Sequence, residues 1–262
     1  MVLPLRHLPT PTQFVTAAIR CATSARCHGR DTKNMRWAIA TRCDLSDTRP
    51  VIQRSAIILL GLVICYFPSY VNPLLRWWGL DVGPEGPASI ILWNWLAVLA
   101  VVAFIILVER RTLASILIRR PDGKDIETAL FYWGIAMAWS WLAMTLLPPA
   151  DDPGTASLVA LPVPVLVAMI VTAAITEEVL YRGYPIERIN DLTSSRWIGP
   201  AISFAIFVAP HLAFFGPTWF LYHGGGTVMI YALYLRRRNL PACMLLHLLV
   251  NLPILIPASG LI

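Results

Sequence analysis

The chain has 262 residues, of which 57% are hydrophobic and only 14% charged, with ten tryptophans and a mean hydropathy of +0.64. So little polar surface cannot cover a water-soluble globule of this length, which excludes an ordinary soluble domain and points to a polytopic membrane protein. The net charge of +6 does not indicate nucleic acid, because the basic residues fall in short clusters beside apolar runs, where they set membrane orientation.

Residues 1–54 carry nine Lys/Arg, three Asp and no Glu, with no apolar run long enough to span. The segment reads as a basic, weakly structured amino-terminal extension and not as a secretory signal. Its arginine-rich, acid-poor composition fits a targeting presequence, and initiation at Met35 fits equally well. Residues 55–262 read as the transmembrane helical domain. About 20 apolar residues cross the hydrocarbon core as a helix, which predicts spans near 55–71, 88–108, 129–147, 158–179, 197–215, 219–235 and 240–257. Gly216-Pro217 and Gly224-Gly225-Gly226 interrupt the fifth and sixth. The expected fold is therefore all-α, a polytopic integral membrane bundle of about seven transmembrane helices, within a range of roughly six to eight.

The connectors predict the orientation. Arg49 and Arg54 precede the first span, Arg110, Arg111, Arg119, Arg120 and Lys124 fill the second connector, and Arg236, Arg237 and Arg238 fill the sixth. The first connector instead sets Arg76 against Asp81 and Glu85, and the third holds Asp151 and Asp152 without a base. Basic connectors mark the cytosolic side, so the amino terminus and the second, fourth and sixth connectors are expected there. The five cysteines, Cys21, Cys27, Cys43, Cys65 and Cys243, show no close paired spacing, so neither a disulfide framework nor a thiolate zinc site is expected.

Chemistry enters with the polar residues of the later spans. A charged group at bilayer depth costs on the order of 2.5–3.5 kcal/mol and is a functional-site hypothesis by default. Residues four apart share a helix face, and Glu178 with Arg182, Phe207 with His211, and His247 with Asn251 all have that spacing. Adjacent Glu177 and Glu178 point about 100° apart. An ion pair between Glu178 and Arg182 would steady the helix and leave Glu177 without a near cation, as a general base for water requires. Two arrangements are open. His211 can share the activated water with Glu177 while His247 and Asn251 donate to an oxyanion, or Glu177, His211 and His247 can ligate a divalent metal such as zinc. The HExxH zinc helix is absent, so three separate helices would have to assemble that metal site. Counted from the polar connectors at 1.5 Å per residue, Glu177 lies roughly 15 Å, His211 roughly 20 Å and His247 roughly 10 Å deep, depths that overlap if the helices tilt.

Phe207 and the tryptophans Trp77, Trp78, Trp93, Trp95, Trp139 and Trp141 read as lipid-packing or interfacial residues, and His223, beside three glycines, as a loop or interfacial residue.

Glu177-Glu178-Val179-Leu180-Tyr181-Arg182-Gly183, Phe207-Val208-Ala209-Pro210-His211 and His247-Leu248-Leu249-Val250-Asn251 resemble the EExxxR, FxxxH and HxxxN motifs of the CPBP family, the CAAX proteases and bacteriocin-processing (Abi) intramembrane proteases. The resemblance covers residues 130–257. It implies an intramembrane endopeptidase in which Glu177 and His211 activate water and His247 and Asn251 stabilise the oxyanion, with Glu178, Arg182 and Phe207 in support. It also implies a peptide or protein substrate, prenylated in some members, and membrane lipid as the surrounding. Two departures bear on substrate choice. Tyr181 stands where phenylalanine is usual and can hydrogen-bond near Glu177, and Arg236-Arg237-Arg238-Asn239-Leu240 is more basic than the family's usual connector. A bacterial inner membrane is the expected location. The competing expectations are a non-catalytic membrane scaffold or regulator, in which the polar core is helix glue, and an ion or metal transporter using the same groups as a relay.

Overall fold

The computed structural model describes residues 50–80, 86–147 and 153–260. Residues 1–49 of the expected amino-terminal extension, and the connector acids Asp81, Glu85, Asp151 and Asp152, lie outside the described residues. Within them the chain is helical and has no strand.

Helix α1 (Val51–Tyr66) starts inside the segment expected to be weakly structured, and passes through a π turn (Phe67–Val71) into α2 (Asn72–Trp77). Pro68 explains the turn: it has no N–H for the carbonyl of Ile64, which accepts from Phe67 instead. Helix α3 (Gly86–Ala103) likewise ends in a π turn (Phe104–Glu109) and a left-handed Arg110. Helix α4 (Gly123–Leu146) begins with reciprocal caps: the Asp122 carboxylate accepts from Asp125 N–H at 2.8 Å and the Asp125 carboxylate accepts from Asp122 N–H at 3.0 Å. The short α5 (Pro153–Val159) precedes α6 (Val163–Glu177), which continues through a third π turn (Glu178–Gly183) into α7 (Tyr184–Thr193). Then come α8 (Ile198–Phe215), α9 (Trp219–Arg237), α10 (Leu240–Asn251) and α11 (Leu255–Ala258).

Six of the described helical runs are long and apolar enough to cross a membrane: Val51–Tyr70, Gly86–Glu109, Gly123–Leu146, Val163–Thr193, Ile198–Phe215 and Leu240–Ala258. Exposed side chains such as Leu59, Leu99, Phe131 and Trp141 give these runs the outer surface that lipid covers. The chain is thus an all-α integral membrane bundle. Helix α9 is less apolar, yet it runs antiparallel along all of α4. Trp139 and Ser140 donate to the carbonyls of Leu221 and Tyr222 at one end, and Arg237 meets Asp122 and Asp125 at the other. Its three glycines do not break it. A Cβ at Gly225 would press on Trp139 and one at Gly226 on Val250, so the glycines let α9 approach α4 and α10 closely. His223 accordingly sits in a helix and not in a loop.

The fourth span does not stop near residue 179 as expected. It runs to Thr193 because its charges are paired and the helix has no reason to end: Arg188 donates to both Glu109 carboxylate oxygens, with contacts of 2.6 to 3.0 Å, and to the Ser115 hydroxyl at 2.9 Å. Tyr184 donates to the same carboxylate at 2.8 Å. The second, fourth and sixth connectors meet at one end of the bundle. Arg111 pairs with Asp191 at 2.7 Å, Arg238 with Glu187 at 2.5 Å, and Arg119 donates to the carbonyls of Arg237 and Arg238. The basic connectors are therefore an ion-paired clamp. At this end Asn239 caps α10 by accepting from Ala242 N–H at 3.0 Å and donates to Asp125 at 3.0 Å.

Gly61 of α1 lies where a Cβ would overlap the Tyr184 hydroxyl. Gly61→Val should push Tyr184 off Glu109 and destabilise the protein by about 1–3 kcal/mol, read as a lowered thermal unfolding midpoint in detergent. Gly134→Ala on α4, where a Cβ meets open space, should leave the midpoint unchanged or raise it.

Candidate active site

Three helical segments bring the motif residues together: the α6–π turn junction carries Glu177, Glu178 and Arg182, α8 carries Phe207 and His211, and α10 carries His247 and Asn251. The expected ion pair is present. Arg182 donates to Glu178 Oε1 at 2.6 Å, and both side chains are fully buried. The same oxygen accepts from His247 Nδ1 at 2.7 Å, so one carboxylate joins the first motif to the third across 69 residues of sequence.

The rest of the guanidinium is held by aromatic faces. Its carbon lies 4.4 Å from the Phe207 ring centre and 4.5 Å from that of Tyr231. Tyr231 is in turn fixed through Ser203. The Ser203 hydroxyl donates to the carbonyl of Tyr181, so it accepts from the Tyr231 hydroxyl at 2.8 Å. Phe207 is buried at 2% exposure, packed on Arg182, Tyr181, His211 and His247, and is not the lipid-facing residue expected from sequence. Its role is to close the second motif over the cation of the first.

His211 Nδ1 lies 2.7 Å from the carbonyl of Phe207. A carbonyl can only accept, so Nδ1 carries the proton and the neutral ring keeps its lone pair on Nε2. The ring lies between Phe207, tilted against it at 4.4 Å between centres, and Trp219, stacked on it at 4.7 Å. His247 is oriented in the same sense: Nδ1–H is committed to Glu178, and Nε2 faces Glu177 Oε2 at 3.8 Å. That separation is too long for a direct hydrogen bond and short enough for one water to bond both. Glu177 keeps 18% of its side chain exposed and, unlike Glu178, has no arginine or lysine in contact among the described residues. Asn251 stands one turn beyond His247, half-buried, with no side-chain hydrogen-bond partner among the described residues.

Among the described residues no group of three His, Cys, Asp or Glu side chains lies close enough together to hold a metal ion. Several expectations need correction. Tyr181 does not bond near Glu177 but donates to the Ser69 hydroxyl at 2.5 Å, tying the first motif to the π turn after α1. Trp95 and Trp139 donate to Thr172 and to the carbonyl of Leu221, so they link helices instead of anchoring at the interface. Trp219, Tyr231 and Ser203 were not singled out by sequence reasoning. They lie outside the motifs, and nothing in local spacing marks them.

Glu178→Ala should leave the Arg182 charge buried without its partner and destabilise the protein by about 3–5 kcal/mol, while Glu177→Ala should change stability by no more than about 1 kcal/mol. Thermal or denaturant unfolding of the two purified variants separates these neighbouring glutamates.

No curated protein and no solved structure matches the chain significantly. Residues 159–253, which contain all three motifs, match the family described as type II CAAX prenyl endopeptidase Rce1-like.

Proposed function

We propose that the protein is an intramembrane endopeptidase of the CAAX type that hydrolyses a peptide bond with a water activated by Glu177. The observation that carries this reading is the division of labour between adjacent glutamates. Glu178 is engaged through Oε1 by both Arg182 and His247, whereas Glu177 has no arginine or lysine in contact among the described residues and faces His247 Nε2 at 3.8 Å. A carboxylate so placed is available to take a proton.

In this reading a water bonded to Glu177 gives its proton to the carboxylate as its oxygen bonds the scissile carbonyl carbon. The His211 Nε2 lone pair orients the same water. The Asn251 amide donates to the resulting oxyanion, and His247 does so when Nε2 carries the ring's second proton. Collapse breaks the carbon–nitrogen bond, and the proton held on Glu177 passes to the leaving amine. The atoms balance as one water consumed and one acid and one amine released. The family description favours a CaaX-type carboxyl-terminal peptide as substrate over a bacteriocin precursor. The ion-paired basic end, with Arg119, Arg237 and Arg238, faces the cytosol of a bacterial inner membrane in this reading.

The test is cleavage of a prenylated CaaX peptide and its unprenylated twin by detergent-purified protein. Glu177→Gln and His211→Ala should each lower turnover by about a hundredfold or more while unfolding at the wild-type temperature. Undiminished cleavage by folded Glu177→Gln would sink the mechanism, and variants that lose stability with no hydrolysis to lose would favour a scaffold.

A further inference from the structure

Pro210 sits inside α8, one residue before His211. Proline has no N–H, so the helical bond from residue 210 to the carbonyl of residue 206 cannot form. In a hydrocarbon surrounding, a carbonyl freed in this way has to find another donor. Tyr70 supplies it: its hydroxyl donates to the Ile206 carbonyl at 2.5 Å, from a residue 136 positions away.

Tyr70 belongs to the π turn Phe67–Val71, which is itself made by a proline. Its neighbour Ser69 accepts from Tyr181 at 2.5 Å, so this one turn is tied both to the α8 segment before His211 and to the helical run that carries Glu177. Ring contacts reinforce the tie, with Tyr66 lying 6.3 Å from Tyr70 and 5.8 Å from Tyr181 between centres. Between the turn and α8 lies an open, mostly apolar groove of about 470 Å³, lined by Ser69, Tyr70, Ala209, Pro210, Ala213 and Phe214. Across this groove the Tyr70 hydroxyl joins the turn to α8, and the Tyr181 hydroxyl joins the same turn to the run that carries Glu177.

We propose that Tyr70 is a positioning residue: its hydroxyl takes the place of the N–H that Pro210 lacks and holds the turn of α8 carrying His211 in register with Glu177. The consequence for turnover rests on the endopeptidase reading above. The placement of His211 does not.

A double-mutant cycle in the full-length protein tests this. Tyr70→Phe keeps the ring and removes the donor, and Pro210→Ala restores the helix's own donor to the Ile206 carbonyl. Two readouts are taken on all four proteins: cleavage of the prenylated CaaX peptide, and labelling of His211 by diethyl pyrocarbonate, quantified by mass spectrometry. Tyr70→Phe should lower kcat about tenfold, the scale of a small misplacement of a reacting group, with KM within about twofold. It should also raise the rate of His211 labelling severalfold. In the Pro210→Ala background the same substitution should change either readout by less than about twofold, because the two residues act on one carbonyl. Equal effects of Tyr70→Phe in both backgrounds, or unchanged His211 labelling in Tyr70→Phe, would overturn the proposal. If wild-type protein cleaves neither peptide, the endopeptidase reading fails, and the labelling cycle still decides the role of Tyr70.

Discussion

One carboxylate oxygen holds the centre of this molecule. Glu178 Oε1 accepts from Arg182 and from His247, and the Arg182 guanidinium lies between the rings of Phe207 and Tyr231. The first motif therefore contributes two members and the second and third one each to a single buried contact, which fixes three separated helical segments relative to each other. The arrangement is demanding. A buried charge is tolerated only with a well-made partner, and loss of either partner costs far more than the pair contributes. Such an interaction specifies geometry more than it adds stability, and geometry is what the adjacent glutamate needs.

One end of the bundle repeats this logic with other residues. Glu109 gathers Tyr184 and Arg188 from a different helical run, and Asp125 gathers Arg237 and Asn239. These clusters are saturated with partners and lie away from Glu177. They hold α7, α9 and α10 by hydrogen bonds in a setting where lipid supplies no hydrophobic force between helices. The interior can then keep small residues and aromatic stacks around His211, as the Trp219 contact shows.

Much of this was legible in the sequence, for reasons of range. The ion pair of Glu178 with Arg182 is four residues long and follows from helical periodicity. The helical class follows from composition, and the motif residues that converge follow from the cost of placing them at depth. What was not legible is what spans the sequence. The bond from His247 to Glu178 joins residues 69 apart, and that from Arg188 to Glu109 joins residues 79 apart. Spacing carries no information about such pairs. Phe207 illustrates the same limit: a phenylalanine in an apolar span looks the same whether it faces lipid or a guanidinium. The glycine run at 224–226 misled in the opposite direction, because close helix approach and loop formation ask for the same residue.

The π turn at Glu178–Gly183 is in effect one residue more than an α-helical path requires. Each residue of an α-helix advances about 100° around its axis, so the surplus residue sets the rotation of α7 independently of α6. Upstream of the turn the run offers Glu177 to the interior, and downstream it offers Tyr184 and Arg188 to Glu109. A chain shortened by one residue here would keep every side chain that the motifs require and still have to forfeit one of its two anchor points. In this chain the number of residues between Glu177 and Arg188 therefore matters as much as which residues they are.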